Sequence, residues 1–339
     1  MPKILIMGAG GFGTALAVMS HKIGHDITLW SPFLEEVSRL SLEREHKKLL
    51  PGVIIPIDVT ITSSLDNPSQ YELIIICTPS FAVRSSAKAL RESGIESKSV
   101  VVCAAKGLEW ESGKTMTDII ADELPLNSIV ALSGPSHAEE VARDVPTSIV
   151  AASRSRNSAA AVQDILMNES LRIYISDDVP GVEYGGALKN VIALAAGVLD
   201  GLGIGDNAKA ALMTRGMAEI SRLGISLGAK AETFFGLSGM GDLIVTCSSM
   251  HSRNRRCGIL IGQGVPPKEA VEKIGMTVEG YLCTKSAYEL SIANNIDMPI
   301  VKAAYRVLYE GLPVMEAIRS LMDRPKRHES ETIWLLQKQ

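Results

Sequence analysis

Two lysines stand out in this 339-residue chain as groups that could move a proton. Lys189 lies in Gly185-Gly186-Ala187-Leu188-Lys189-Asn190-Val191-Ile192-Ala193. If that stretch is helical, Gly185, Lys189, Ala193 and Ala196 share a face, and the small neighbours let a ligand or another surface approach. A cation among apolar residues is costly to bury, so its pKa falls, and a second cation such as Lys106 would push it down further. That tuning suits a general acid at neutral pH. The competing reading is a lysine that lays its stem along a helix contact and keeps its ammonium in water. Lys106 follows the apolar run Val102-Cys103-Ala104, and ligands of open α/β sheets bind at the carboxyl ends of strands. An ordinary exposed lysine is the alternative there.

Other segments offer anion and polar contacts. Ser252-Arg253-Asn254-Arg255-Arg256 combines arginines, which form forked bonds to phosphate, with neutral donors; a solvated basic turn is the blander reading. Ser133-Gly134-Pro135-Ser136-His137 reads as a loop with free backbone N–H groups and hydroxyls, and His137 as a loop histidine. Asp242, after Gly239-Met240-Gly241, reads as a helix cap, with Thr246 one turn later on the same face. Gly8-Ala9-Gly10-Gly11-Phe12-Gly13 matches G-x-G-x-x-G. Gly8 permits a tight turn, Gly10 lets the backbone approach a pyrophosphate, and Gly13 lets helix and strand pack closely. The helix that follows offers its N-terminal N–H groups to phosphates. The second strand ends Leu29-Trp30-Ser31 without the acidic residue that usually holds the ribose 2′-hydroxyl of NAD. This leans to NADP(H), with NAD(H) tolerated. Gly201, Gly203 and Gly205 read as an interhelical loop.

These residues need a scaffold, and the pattern supplies one. Apolar runs at Ile4–Met7, Ile27–Trp30, Leu73–Cys77, Val100–Ala104, Ile129–Leu132 and Thr147–Ala151 suit strands covered on both faces, as in a parallel sheet. Helix-like segments lie between them: Thr14–Ile23 is one, and Ser31-Pro32 looks like the start of another, with Ser as N-cap. The alternation predicts a doubly wound α/β, Rossmann-type domain over residues 1–183. From 184 to 339 the texture turns to Ala, Leu, Gly and Met, which predicts an all-helical domain. The tail Arg324–Gln339 is charged and reads as a solvated end.

Hydrophobic residues at 46% and charged residues at 21% match a soluble globular protein. A formal net charge of -4 gives no footprint for nucleic acid. The five cysteines form no C-x-x-C pair and the histidines do not cluster, so no metal site is signalled and reduced cytosolic thiols are expected. The chain enters its first strand and glycine turn too early for a signal peptide. The apolar stretch after Tyr184 is broken by Lys189, Asn190 and Asp200, against a membrane span.

Taken together, several blocks in one order resemble NAD(P)-dependent glycerol-3-phosphate dehydrogenase of the bacterial type, from Gly8 to about Leu321. They are the glycine turn with Thr14-Ala15-Leu16-Ala17, Ala105-Lys106-Gly107-Leu108-Glu109, Ser133 to Ser136, Gly185 to Ala193, Gly239 to Leu243, Ser252 to Arg256 and Val278-Glu279-Gly280. The resemblance implies reduction of dihydroxyacetone phosphate to sn-glycerol 3-phosphate for phospholipid synthesis, by a cytoplasmic enzyme usually assembled as a homodimer. It implies Lys189 as proton donor and Lys106 as a second active-site lysine contacting substrate and cofactor. Asn190, Asp242 and Thr246 match polar residues around the carbonyl, with Asp242 holding Lys189. Gly134, Ser136, Ser252, Arg253 and Asn254 match substrate contacts, the last two placed for the phosphate. Gly11, Phe12, Ala138, Arg253 and Glu279 match cofactor contacts, beside Gly8, Gly10 and Gly13.

Three positions depart from the family's pattern. Gly11-Phe12 replaces a common Ser-Trp, Ser31-Pro32-Phe33 lacks a common basic residue, and Leu282 stands where many members have Arg. Two rivals remain open from sequence: a sister dehydrogenase acting on a hydroxy acid, and a nucleotide-sensing protein without catalysis.

Overall fold

The computed structural model describes residues 1–326 and residue 329. The end of the expected helical domain and most of the charged tail Arg324–Gln339 lie outside the described residues. Eight strands, β1 (Lys3–Met7), β2 (Asp26–Trp30), β3 (Thr60–Thr62), β4 (Leu73–Ile76), β5 (Val100–Cys103), β6 (Ile129–Ser133), β7 (Thr147–Ala152) and β8 (Leu171–Ser176), form one sheet ordered β3-β2-β1-β4-β5-β6-β7-β8. Helices α1 (Gly11–Lys22), α2 (Leu34–Glu43), α3 (Val83–Glu92), α4 (Met116–Glu123), α5 (Ala138–Val141) and α6 (Arg156–Leu166) are interleaved with the strands. After β8 come α7 (Val179–Gly201), α8 (Asp206–Ser226), α9 (Asp242–Ser248), α10 (Arg253–Gly262), α11 (Pro267–Ile274), α12 (Glu279–Ala293), α13 (Pro299–Tyr309) and α14 (Val314–Met322).

The apolar runs become strands because both faces of the sheet are covered. Ile4, Ile6, Leu73, Ile75 and Val102 pack on one side with Ala15, Leu16 and Met19 of α1. Their alternate neighbours Leu5, Met7, Ile74, Ile76 and Val101 pack on the other with Ala87 and Leu90 of α3 and Ile119 and Ile120 of α4. That is the period of two expected of a pleated strand.

Three expectations change, and two strands are added. The sheet is not wholly parallel, because β6 and β7 run antiparallel, pairing Leu132 with Ala151. Their link holds only the four-residue α5, so the chain turns back at one end instead of crossing the sheet. Two strands had no expectation. β3 is three residues at one edge, and β8, at the other, alternates buried Leu171 and Ile173 with exposed Arg172 and Tyr174. Ser31-Pro32 does not start α2, which begins at Leu34. Ser31 Oγ instead accepts from Phe33 N at 3.3 Å and donates to Glu36 Oε2 at 2.6 Å. Asp242 is the first residue of α9 and Gly241 precedes it, so the aspartate is free for another role.

The helical half is built on α7. Asp178 caps it by accepting from Gly181 N at 3.1 Å, with Pro180 in the first turn. Leu188, Val191 and Ile192 lie in its core with Ile220, Phe234 and Leu243. By length and composition α7 is the one helix among the described residues that could cross a membrane, but most of it is buried inside the protein. Gly197 and Gly201 face Gly258 and Gly262 of α10 so closely that a Cβ at Gly197 would strike the Arg255 carbonyl oxygen. This near-contact of backbones brings the start of α10, and so Arg253, beside the helix that carries Lys189.

Candidate active site

The ammonium of Lys189, 5% exposed, donates to Asp242 Oδ1 at 2.7 Å and to Thr246 Oγ1 at 2.6 Å. The other Asp242 oxygen, Oδ2, accepts from Lys106 Nζ at 2.7 Å, and Lys106 also donates to the Gly134 carbonyl at 2.7 Å. One buried carboxylate thus clamps two lysines from opposite halves of the chain. Lys106 comes from the loop after β5, Lys189 from the middle of α7, and Asp242 from α9, reached through a π-helical turn at Leu237–Gly241. Such turns recur at functional sites. Thr246 Oγ1 also bonds the Asp242 carbonyl one turn back, at 2.6 Å, which fixes its rotamer.

The approach of α7 to the sheet depends on its glycines. A Cβ at Gly185 would lie 2.8 Å from the Ser238 carbonyl, and one at Gly186 would lie 2.5 Å from Ser133 Oγ. Burial pushes the Lys189 pKa down to about 8, with Lys106 adding to the fall and Asp242 opposing it. Burial alone would raise the Asp242 pKa, but the two lysines hold it below the usual carboxylate range. A lysine with its pKa lowered toward neutrality and held by a charged carboxylate has the properties a proton donor needs.

Around this centre the structure gathers most of the expected residues, some in supporting positions. Asn190 Nδ2 donates to the carbonyls of Lys106 and Gly186, both at 3.4 Å, while its Oδ1 accepts from Asn254 Nδ2 at 2.8 Å. Asn254 Oδ1 in turn accepts from Gly280 N at 2.8 Å. These amides are struts that tie α7, α10, α12 and the Lys106 loop together. Ser252 Oγ caps α10, accepting from Arg255 N at 3.2 Å. Ser136 Oγ bonds the Gly134 carbonyl at 3.0 Å, next to Lys106. Arg253 differs. Burial depresses its pKa, Glu279 and Glu139 oppose that fall, and no described residue accepts a hydrogen bond from its guanidinium. A half-buried cation with unused donors is suited to an anionic ligand.

The dinucleotide turn has the required shape. Gly8 has φ +113°, and a Cβ on Gly13 would strike the Gly8 carbonyl. A Cβ on Gly10 would meet nothing within 4 Å, and no side chain caps α1. Open space above an uncapped helix N-terminus fits a pyrophosphate. A Cβ on Gly11 would lie 2.9 Å from the Leu49 carbonyl and 3.7 Å from Ala138 Cβ, so the glycine departure answers a close backbone neighbour and joins Gly11 to Ala138. Phe12 packs on the core below. Glu279, at the start of α12, accepts from Ser80 N at 3.0 Å and Ser80 Oγ at 2.6 Å. Ser80 follows β4, which borders β1 in the sheet, so Glu279 reaches the crevice beside the glycine turn.

Sequence reasoning missed Ser80, although Thr78-Pro79-Ser80 after an apolar run was a usable signal. It also missed Glu36, whose carboxylate returns to Ser31 from the first turn of α2. His46 Nε2 lies 3.4 Å from Glu36 Oε1. No motif predicted that group.

A mostly parallel sheet whose order reverses beside a glycine turn, with a lysine–aspartate–lysine centre at the strand ends, defines an NAD(P)-dependent oxidoreductase. Comparison with known proteins is in accord. Models of the NAD-dependent glycerol-3-phosphate dehydrogenase N-terminus and C-terminus match residues 3–159 and 178–319. A glycerol-3-phosphate dehydrogenase [NAD(P)+] of Clostridium perfringens is 48% identical over 97% of this chain and 99% of its own. That of a Thermoanaerobacter species is 51% identical over 96% and 98%. The crystal structure of glycerol-3-phosphate dehydrogenase from Coxiella burnetii superposes with TM-score 0.91 at 35% identity, covering 95% of this chain and 99% of that one. The chain belongs to the NAD-dependent glycerol-3-phosphate dehydrogenase family.

Proposed function

We propose that the chain reduces dihydroxyacetone phosphate to sn-glycerol 3-phosphate with NAD(P)H, in the cytoplasm and as a homodimer, to supply glycerophospholipid synthesis. The observation that carries the chemistry is the Asp242 carboxylate bridging Lys106 and Lys189 at 2.7 Å each. The glycine turn, Ala138, Ser80 and Glu279 would hold the cofactor, whose nicotinamide supplies the hydride. Lys189 stabilises the negative charge that develops on the carbonyl oxygen and delivers its proton there. Asp242 and Thr246 aim that ammonium, and Lys106, with the Gly134 and Ser136 loop, lines the substrate's other side. Arg253, with Ser252 and Asn254 beside it, takes the phosphate. Binding energy from that remote anion orients the carbonyl. Residues 1–183 serve as the cofactor half and residues from 184 onward as the substrate half.

The test follows absorbance of the reduced cofactor with dihydroxyacetone phosphate, using NADH and NADPH in parallel. Oxidation that requires the phosphorylated ketone is the expected result. Cofactor binding without turnover on this ketone would sink the reading and move attention to hydroxy acids.

A further inference from the structure

We propose that Glu36 makes this chain selective for NAD(H): its carboxylate is held at the end of β2, where it accepts the 2′-hydroxyl of the adenosine ribose and repels a 2′-phosphate. This rests on the dinucleotide site described above. In doubly wound sheets the ribose lies at the end of the second strand, and an acidic residue there takes its hydroxyl. Trp30 and Ser31 offer none, and the strand end by itself leans to NADP(H). The folded chain reverses the balance. Ser31 is buried and its Oγ donates to Glu36 Oε2 at 2.6 Å, so the carboxylate stands one hydrogen bond from the strand end. The Glu36 side chain stays 22% exposed, enough to meet a ligand.

Its charge is maintained on every side. His46 lies 3.4 Å and Arg39 3.9 Å from Oε1, and these contacts with that of Ser31 lower the Glu36 pKa, against burial. Glu36 and Glu35 line a shallow surface hollow with Phe33 and Arg39. Arg39 is the cation in that hollow that a 2′-phosphate would seek, and Glu36 already faces it. A phosphate monoester carries nearly two negative charges at neutral pH, so its meeting with a fixed carboxylate is repulsive, whereas a hydroxyl donates to it.

The experiment uses calorimetric titration of 5′-ADP and 2′,5′-ADP into the full-length protein, wild type and Glu36→Gln, alongside steady-state ratios for NADH and NADPH. Glutamine keeps an acceptor for Ser31 and the ribose but removes the charge. The wild type should bind 5′-ADP at least about tenfold more tightly than 2′,5′-ADP. Glu36→Gln should narrow that ratio about tenfold or more, chiefly by tighter 2′,5′-ADP binding, and should lower the KM for NADPH. An unchanged ratio would overturn the proposal, as would a wild type that prefers 2′,5′-ADP and loses the preference on Arg39→Ala. Failure of both nucleotides to bind would overturn it together with the dinucleotide site, a result distinct from loss of selectivity alone.

Discussion

Asp242 and Glu219 are equally buried carboxylates of the helical half, each 2% exposed, and their protons behave oppositely. Asp242 faces two ammonium groups and stays below the usual carboxylate range. Glu219 accepts from backbone N–H groups at the start of α13, Ile300 at 2.9 Å and Val301 at 3.2 Å, and burial pushes its pKa up to about 7. Neutral donors do not offset the loss of water as two cations do. Glu183, buried against Thr117, shows the same rise to about 7. The fold therefore tolerates buried acids of two kinds: structural ones that take up protons near neutrality, and one at the candidate active site whose charge is locked by two lysines from different segments.

The comparison breaks most visibly at Lys189. Lys189→Ala should retain the fold, because Asp242 keeps Lys106 as partner. It should lower turnover by about 10²–10⁴-fold, the usual contribution of a positioned proton donor. Circular dichroism and the steady-state rate check both halves, and substantial residual activity would remove Lys189 from the proton-donor role.

Asp242→Ala attacks the same network from its anionic side. It leaves two cations facing each other in a buried site, so stability should fall by about 3–5 kcal/mol, read from chemical denaturation. Glu219→Ala should cost less, since protonation already relieves much of its charge. Equal losses would mean that the two lysines do not set Asp242 apart.

Much of this contrast was legible in the sequence. The strands β1, β4 and β5 were visible because they are buried on both faces and read as unbroken Ile and Val. Lys189 and Lys106 were visible as cations in apolar or strand-end contexts, and the glycine turn by its spacing. Asp242 read as a cap from its own residues, and only the family resemblance placed it beside Lys189, because its lysine partners lie 53 and 136 residues away in the chain. Glu36 was hidden for a related reason: local spacing assigns it to a helix surface, and only the packing of Ser31 and His46 turns it toward the strand end. Short edge strands such as β3 carry too few residues to show a period.

A gentler perturbation is pH. The Lys189 pKa, lowered to about 8, predicts that the reductive rate falls as pH rises through that value, because the ammonium must carry the proton it delivers. Lys106→Met removes the nearby charge that depresses it and leaves Asp242 wholly to Lys189. The alkaline limb should then move to higher pH, even though overall activity drops. A limb that stays in place in the pH profile of kcat would show that Lys106 does not tune Lys189.

The smallest effect concerns the structural acid. The folded Glu219 pKa of about 7 lies above the ordinary 4.5, so the native state binds this proton more tightly than the unfolded chain. Its contribution to stability is complete below about pH 4.5 and is lost as pH rises through about 7. Glu219→Gln keeps an acceptor for Ile300 N but cannot ionise. The difference in unfolding free energy between pH 5 and pH 8 should therefore shrink by on the order of 1–3 kcal/mol, with the remainder set by Glu183 and other groups. Denaturant titrations of both proteins at the two pH values measure it. An undiminished difference would mean that Glu219 keeps its charge without a cation, and the distinction from Asp242 would then lie in partner geometry, not in charge compensation.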